Sequence, residues 1–108
     1  MKLIIAIIAN ADANALIDAL VKEKLSVTKL ATSGGFLKRK NATLLIGVSG
    51  DEVEHVVSII KKNCKSRKEI VPMMSRAGDG SLYDAQNITV PVGGATIFVV
   101  DVEQFERV

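Results

Sequence analysis

The chain has 108 residues, too few for two ordinary domains and enough for one, so residues 1–108 read as a single domain. Hydrophobic residues make up 48% of it, charged residues 24% and aromatic residues only 4%, a globular composition whose core must be aliphatic. A formal net charge of +2 is too weak a basic balance to argue for nucleic acid.

The opening run Leu3 to Ala9 is the longest apolar stretch and falls far short of a membrane span. A single Lys2 precedes it and Asn10 and Asp12 follow, with no cleavage-like stretch, so neither membrane insertion nor a signal peptide is expected. Its β-branched and aliphatic residues, Leu3 to Ile8, predict a first strand covered on both faces. Ala13, Leu16, Ile17, Leu20 and Val21 then recur at helical spacing, with Asn10 or Asp12 able to cap the start and Lys22 and Lys24 close to the negative C-terminal end. Ser26 to Thr32 predicts a second strand, stopped by Ser33-Gly34-Gly35, and Ala42 to Val48 a third. Ser49 sits three residues before Glu52, a capping box, and Val53, Val56, Val57 and Ile60 follow at helical spacing. Lys61, Lys62 and Asn63 close that second helix, and Cys64 comes directly after it; one cysteine allows no internal disulfide and fits a reducing cytoplasm. Arg67 to Met73 predicts a short strand, Met74 to Gln86 a polar loop, and Ile88 to Val102 a last apolar stretch interrupted by Pro91 and Gly93-Gly94. Two glycines inside a strand suggest either a bulge or a close approach of another group to the backbone.

The order βαββαβ followed by an extra C-terminal strand predicts an α+β ferredoxin-like sandwich with both helices on one face of the sheet. The other face is then bare, yet the first strand has no polar side. Packing against copies of the same chain resolves that mismatch, so a homo-oligomer with closed cyclic symmetry is expected.

Catalysis finds little support. His55, the only histidine, falls inside the second helix without a triad partner, and Cys64 reads as a partly buried cysteine more readily than a nucleophile. Asp79 and Asp84 share a loop with Tyr83 but pair with no further acid at a recognisable spacing, and no His/Cys ligand set is present for a metal. No catalytic and no metal residues are therefore assigned. The segment Thr32 to Asn41 is different. Gly34-Gly35 frees backbone N–H groups to face an anion, and Lys38, Arg39 and Lys40 bring three adjacent cations. Phe36 offers a ring that could stack on a base, worth about 1–3 kcal/mol per base, and Asn41 offers an amide for a purine edge. A tight Gly-Gly turn, a solvated basic loop and a Phe folded back on the core would produce the same string, so both readings stand. The segment matches neither the Walker loop nor the dinucleotide fingerprint, and the aliphatic central strands do not suit the RNA-recognition variant of this sandwich.

Thr28-Lys29-Leu30-Ala31-Thr32 running into Gly34-Gly35-Phe36-Leu37, then Asn41 and Gly47, then Val92-Gly93-Gly94-Ala95-Thr96-Ile97-Phe98-Val99, resembles the PII-like cyclic di-AMP receptors of Gram-positive bacteria, the PstA type. The likeness runs from Met1 to about Phe105. It implies a cytoplasmic homotrimer of PII-like ferredoxin fold with three nucleotide sites at subunit interfaces, a signalling role without catalysis, no cofactor, and a downstream protein partner of unknown identity. Carried over by position, it puts Thr28, Gly35, Phe36, Leu37, Asn41 and Gly47 around one adenine and its phosphate, with Gly93, Gly94 and Phe98 from the adjoining part of the interface. Phe98 by spacing alone reads as core. Lys24 and Ser26 stand where the family's binders carry Asn and Arg, and Arg107 where they carry Gln; Lys38, Arg39, Lys40 or Arg107 could replace the lost cation. The 74–86 loop is shorter than the family's long loop. These departures keep open a PII-like interaction module, or a sensor of another nucleotide such as ATP.

Overall fold

The protein, in a computed structural model, is described over residues 1–30, 41–73 and 86–108. The elements in chain order are β1 (Lys2–Ala9), α1 (Asn10–Lys22), β2 (Val27–Leu30), β3 (Asn41–Val48), a 3-10 turn (Gly50–Glu52), α2 (Val53–Asn63), β4 (Arg67–Met73), β5 (Gln86–Val92) and β6 (Ala95–Asp101). A four-stranded antiparallel sheet has the order β2-β3-β1-β6, and β4 pairs with β5 in a separate two-stranded ribbon. Both β2 and β1 run antiparallel to β3, and β6 runs antiparallel to β1. This is the ferredoxin-like arrangement with one difference from the sequence expectation. The strand beside β1 is β6, and residues 67–73 form half of a ribbon inserted before it. Pro72 and Pro91 both lie in that ribbon, where a missing N–H disturbs two strands and spares the main sheet.

Strand periodicity decides the layers. Ile4, Ala6 and Ile8 of β1 and Ala42, Leu44, Ile46 and Val48 of β3 are buried in one cluster with Ala13, Leu16 and Leu20 of α1 and Val56 and Ile60 of α2. Each fully buried Leu or Ile contributes about 1.5–3 kcal/mol, so this single layer contact is the core. The intervening residues point the other way. Leu3, Ile5 and Ile7 stand on a face with no helix over it and are half-buried.

The helix ends show how local chemistry was redirected. Neither Asn10 nor Asp12 caps α1; the N-cap is Ala9, with no side-chain capping bond. Asp12 is instead buried in the first turn, where Arg67 donates to both its carboxylate oxygens at 3.1 and 3.4 Å. The Ser49–Glu52 pair appears as expected, the Ser49 N–H donating to Glu52 Oε1 at 3.3 Å, although a 3-10 turn intervenes before α2 proper. At the other end of α2, Asn63 Nδ2 donates to the Ile59 carbonyl at 2.8 Å.

Helix α1 stops at Lys22, and Lys24 takes a φ of 61°. The Lys24 and Leu25 N–H groups donate to the Val21 and Leu20 carbonyls at 2.9 and 3.1 Å, closing the helix through a left-handed residue. Glycine or asparagine is the ordinary occupant of such a position, and a lysine there costs about 1 kcal/mol. Lys24→Gly is therefore expected to stabilise the fold by roughly 0.5–1 kcal/mol, seen as a higher denaturant midpoint at fixed protein concentration.

Candidate functional site

The register of the sheet sorts the sequence-predicted residues. Cross-strand partners in an antiparallel pair share a face, so Thr28, Leu45, Ile5 and Phe98 form one row across β2, β3, β1 and β6. Gly47, Leu3 and Val100 form the adjacent row, and Asn41 pairs with Ala9 at the far end of β3. Every one of these rows lies on the helix-free face. That face is apolar and open: Phe98 is 51% exposed, Val100 42% and Leu30 41%. Phe98 is accordingly no core residue of this chain.

Distances follow from the ladder. Thr28 and Phe98 are three strand spacings apart, about 14 Å, and Asn41 and Gly47 are six residues apart, about 20 Å. Two clefts result. Thr28 and Gly47 line one of about 410 Å3, together with Ser26, Phe105 and Arg107. Asn41 and Gly93 line another of about 640 Å3, beside Asn10, Arg67, Glu69 and Pro91. A smaller hollow of about 170 Å3 joins Asn41 to Gly93 and Gly94. Gly35, Phe36 and Leu37, with Lys38, Arg39 and Lys40, lie outside the described residues, as does the 74–85 part of the predicted loop.

The glycine pair is required by the protein's own backbone. Gly93 and Gly94 have φ values of 79° and 80° and join β5 to β6. A Cβ on Gly93 would stand 2.3 Å from the Lys65 carbonyl oxygen and 2.6 Å from Arg67 Nη1. The close approach suggested by the sequence thus exists, and the approaching group is Lys65 together with Arg67. Arg67 Nη1 also donates to the Lys65 carbonyl at 3.2 Å. One guanidinium therefore ties the first turn of α1, the segment after α2 and the β5–β6 junction into a single corner. The Asp12 carboxylate holds Arg67 above its ordinary pKa, mainly through the hydrogen bond.

Groups weighed for catalysis fare differently. Cys64 is buried, and burial, with the nearby Asp12 charge, pushes its thiol up to about 11, so at neutral pH it is not a thiolate. His55 is exposed on α2 and lies 3.5 Å from Glu23 at the end of α1. Among the described residues no group of three or more His, Cys, Asp or Glu side chains could hold a metal ion, and no helix is long and apolar enough to cross a membrane. The residues missed by sequence reasoning are Asp12, Arg67 and Phe105. The first two carried a visible signal, opposite charges at the ends of elements, but their pairing spans 55 positions.

Comparison with known proteins accords with this fold. A family model described as cyclic-di-AMP receptor matches residues 1–108, the whole chain. Among solved structures, the crystal structure of a functionally unknown protein from Pediococcus pentosaceus ATCC 25745 is similar at 40% identity, covering 99% of this chain and 96% of that one, with a TM-score of 0.73.

Substituting the glycines separates their roles. Gly93→Ala is expected to destabilise by about 3 kcal/mol or more, because a Cβ collides with backbone that cannot move freely. Gly94→Ala, whose Cβ meets only Ser66 Cβ at 3.7 Å, carries the positive-φ strain alone, about 1 kcal/mol. Denaturant midpoints of the two variants check the order.

Proposed function

Because the chain belongs to the cyclic-di-AMP receptor family, we propose that it is a PII-like cytoplasmic signalling receptor, not an enzyme, which binds cyclic di-AMP at the seams of a homotrimer. The observation that carries this reading is the common face of Thr28, Asn41, Gly47 and Phe98, a face apolar enough to need a cover and left without one by the helices. Water contact with Phe98, Val100 and Leu30 is unfavourable by about 25 cal/mol per Å2 of apolar surface. Closing that face against copies removes the cost, and cyclic symmetry closes it for every copy alike.

The same step gathers the site. Thr28 on β2 and Phe98 on β6 lie on opposite edges of one sheet, too far apart to grip one base together. Around a rotation axis, the β2 edge of one copy meets the β6 side of the next, and the two halves come within reach of a shared ligand. A dinucleotide presents two bases and two phosphates, which suits polar groups spread along a strand better than a single purine would. Phe36 supplies a stacking ring, the Gly34-Gly35 amides and the neighbouring cations meet phosphate, and Asn41 and Thr28 bond purine edges.

Signalling then needs no chemistry on the nucleotide. Ligand that binds one arrangement of the segments after β2 and β4 better than another shifts the population toward it. A protein partner reads the altered surface.

Calorimetry with cyclic di-AMP, ATP, AMP and cyclic di-GMP tests the proposal. Saturable binding of one cyclic di-AMP per subunit is expected, lost in Phe36→Ala, with a raised melting temperature because ligand bound to the native state adds to its stability. Silence toward all four nucleotides, with an unmoved melting temperature, would leave an interaction module. Heat with ATP alone would make the protein a sensor of that nucleotide.

A further inference from the structure

The cations of the chain are unevenly placed. Five of its 14 Lys and Arg residues stand within positions 61–68, a stretch without Asp or Glu, so the remainder of the chain is net acidic. Lys61 and Lys62 lie in the last turn of α2, where the negative helix end accounts for them. That account stops with the helix, and Lys65 and Lys68 lie beyond it. Arg67 is taken up by Asp12 and Glu69. The four lysines are all exposed, and among the described residues none of them forms an ion pair with Asp or Glu; Asp18, which lines a hollow with Lys62 between the helices, does not pair with it. The backbone beneath them is held firmly. The Cys64 N–H donates to the Ile60 carbonyl at 2.9 Å, and the Lys65 carbonyl accepts from Arg67 at 3.2 Å.

The ribbon extends this basic surface with an apolar group. Lys68 pairs with Pro91 and Ile70 with Thr89, so the four share one face of the ribbon. All four are exposed, whereas Val90 and Val92 on the opposite face are half-buried. Ile70 is 71% exposed, an aliphatic side chain two positions from Lys68 and uncovered by its own chain. No aromatic residue stands within positions 61–73 to stack on a base, and the acidic remainder of the chain disfavours a nucleic acid or an anionic bilayer. A peptide segment with carboxylates around an aliphatic residue matches both the lysines and Ile70. We propose that Lys61, Lys62, Lys65, Lys68 and Ile70 form the docking surface for an acidic segment of a partner protein, with an aliphatic residue of that segment packed on Ile70. The lysines steer and orient the segment, and the fixed backbone beneath them limits what must be ordered on binding. The inference rests on the receptor reading only for its place in signalling, as the surface that a downstream protein would read; peptide binding by the nucleotide-free chain tests it separately.

The test is selection of a random peptide display library on the full nucleotide-free chain, followed by titration of an enriched sequence as a synthetic peptide. Enriched peptides should carry several Asp or Glu residues around a Leu, Ile or Val. Such a peptide should bind about tenfold more weakly to Lys65→Glu/Lys68→Glu and to Ile70→Ser, and should weaken from low to moderate salt. Lys65→Gln/Lys68→Gln, which removes charge without reversing it, should lose less. All of these positions are exposed, and an unshifted denaturant midpoint verifies that the variants fold. No acidic preference among the enriched peptides, or equal binding by the charge-reversed variant, would overturn the inference. Tighter binding of a DNA duplex or of phosphatidylserine vesicles by the same lysines would overturn it in favour of nucleic acid or a membrane. Loss of self-association in the charge-reversed variant would overturn it in favour of a second copy. In each case cyclic di-AMP binding is judged by its own titration.

Discussion

The β2-β3-β1-β6 sheet is apolar on two sides, and the helices cover only one of them. On β1 the alternation that buries Ile4, Ala6 and Ile8 under α1 and α2 necessarily turns Leu3, Ile5 and Ile7 outward. A strand of a solitary sandwich would carry polar residues at those places. The cost of leaving them wet is what favours association of copies in the proposed receptor. The candidate residues on β2, β3 and β6 sit on that same surface, so assembly and ligand binding become one problem instead of two. The recessed middle of the face and its exposed flanks divide that problem: Ile5 and Leu45 are half-buried already, whereas Phe98 and Leu30 stand clear.

A second constraint fixes the geometry around it. The buried Asp12 carboxylate, held bidentately by Arg67, anchors the start of β4 to the start of α1. An unpaired carboxylate at that depth would be strongly unfavourable, so the ribbon β4–β5 cannot drift from the helix without a large penalty. Gly93 lets β5 turn into β6 directly beneath the same guanidinium. The corner therefore delivers β6, with Phe98 on it, to the vacant edge of β1. Near the same corner, burial and secondarily the Asp12 charge hold the Cys64 thiol neutral, against the opposing pull of Arg67.

Most of the fold was legible in the chain because it rests on local periodicity. The continuous apolar runs of β1 and β3, the helical spacing in α1 and α2 and the Ser49–Glu52 pair needed no long-range knowledge. What escaped depends on partners distant in sequence. Asp12 looks like a helix cap until Arg67, 55 residues on, claims it. The apolar stretch 88–102 looks like one strand with a flaw until Lys65 is seen behind Gly93, which divides it into β5 and β6. Strand 67–73 has the composition of a sheet member, and only the competition of β6 for the β1 edge assigns it to a ribbon. For the candidate site, residue types in the Thr32–Asn41 segment and the family resemblance supplied Thr28, Asn41, Gly47 and Phe98. The resemblance also marked Arg107 as a departure from the family, whereas Phe105 carries no motif; both line the Thr28 cleft because the tail runs past Met1.

Mixed assemblies put the seam between copies to the most direct test. Two differently tagged chains would be co-expressed, one carrying Thr28→Glu and the other Phe98→Ala, with each variant alone binding no cyclic di-AMP. If each site draws the β2 edge from one copy and β6 from the next, trimers containing both chains should regain binding at about a third of their sites, those that join an intact edge from each chain. Mixed assemblies as silent as their parents, or full binding by a single separated copy, would contradict the account.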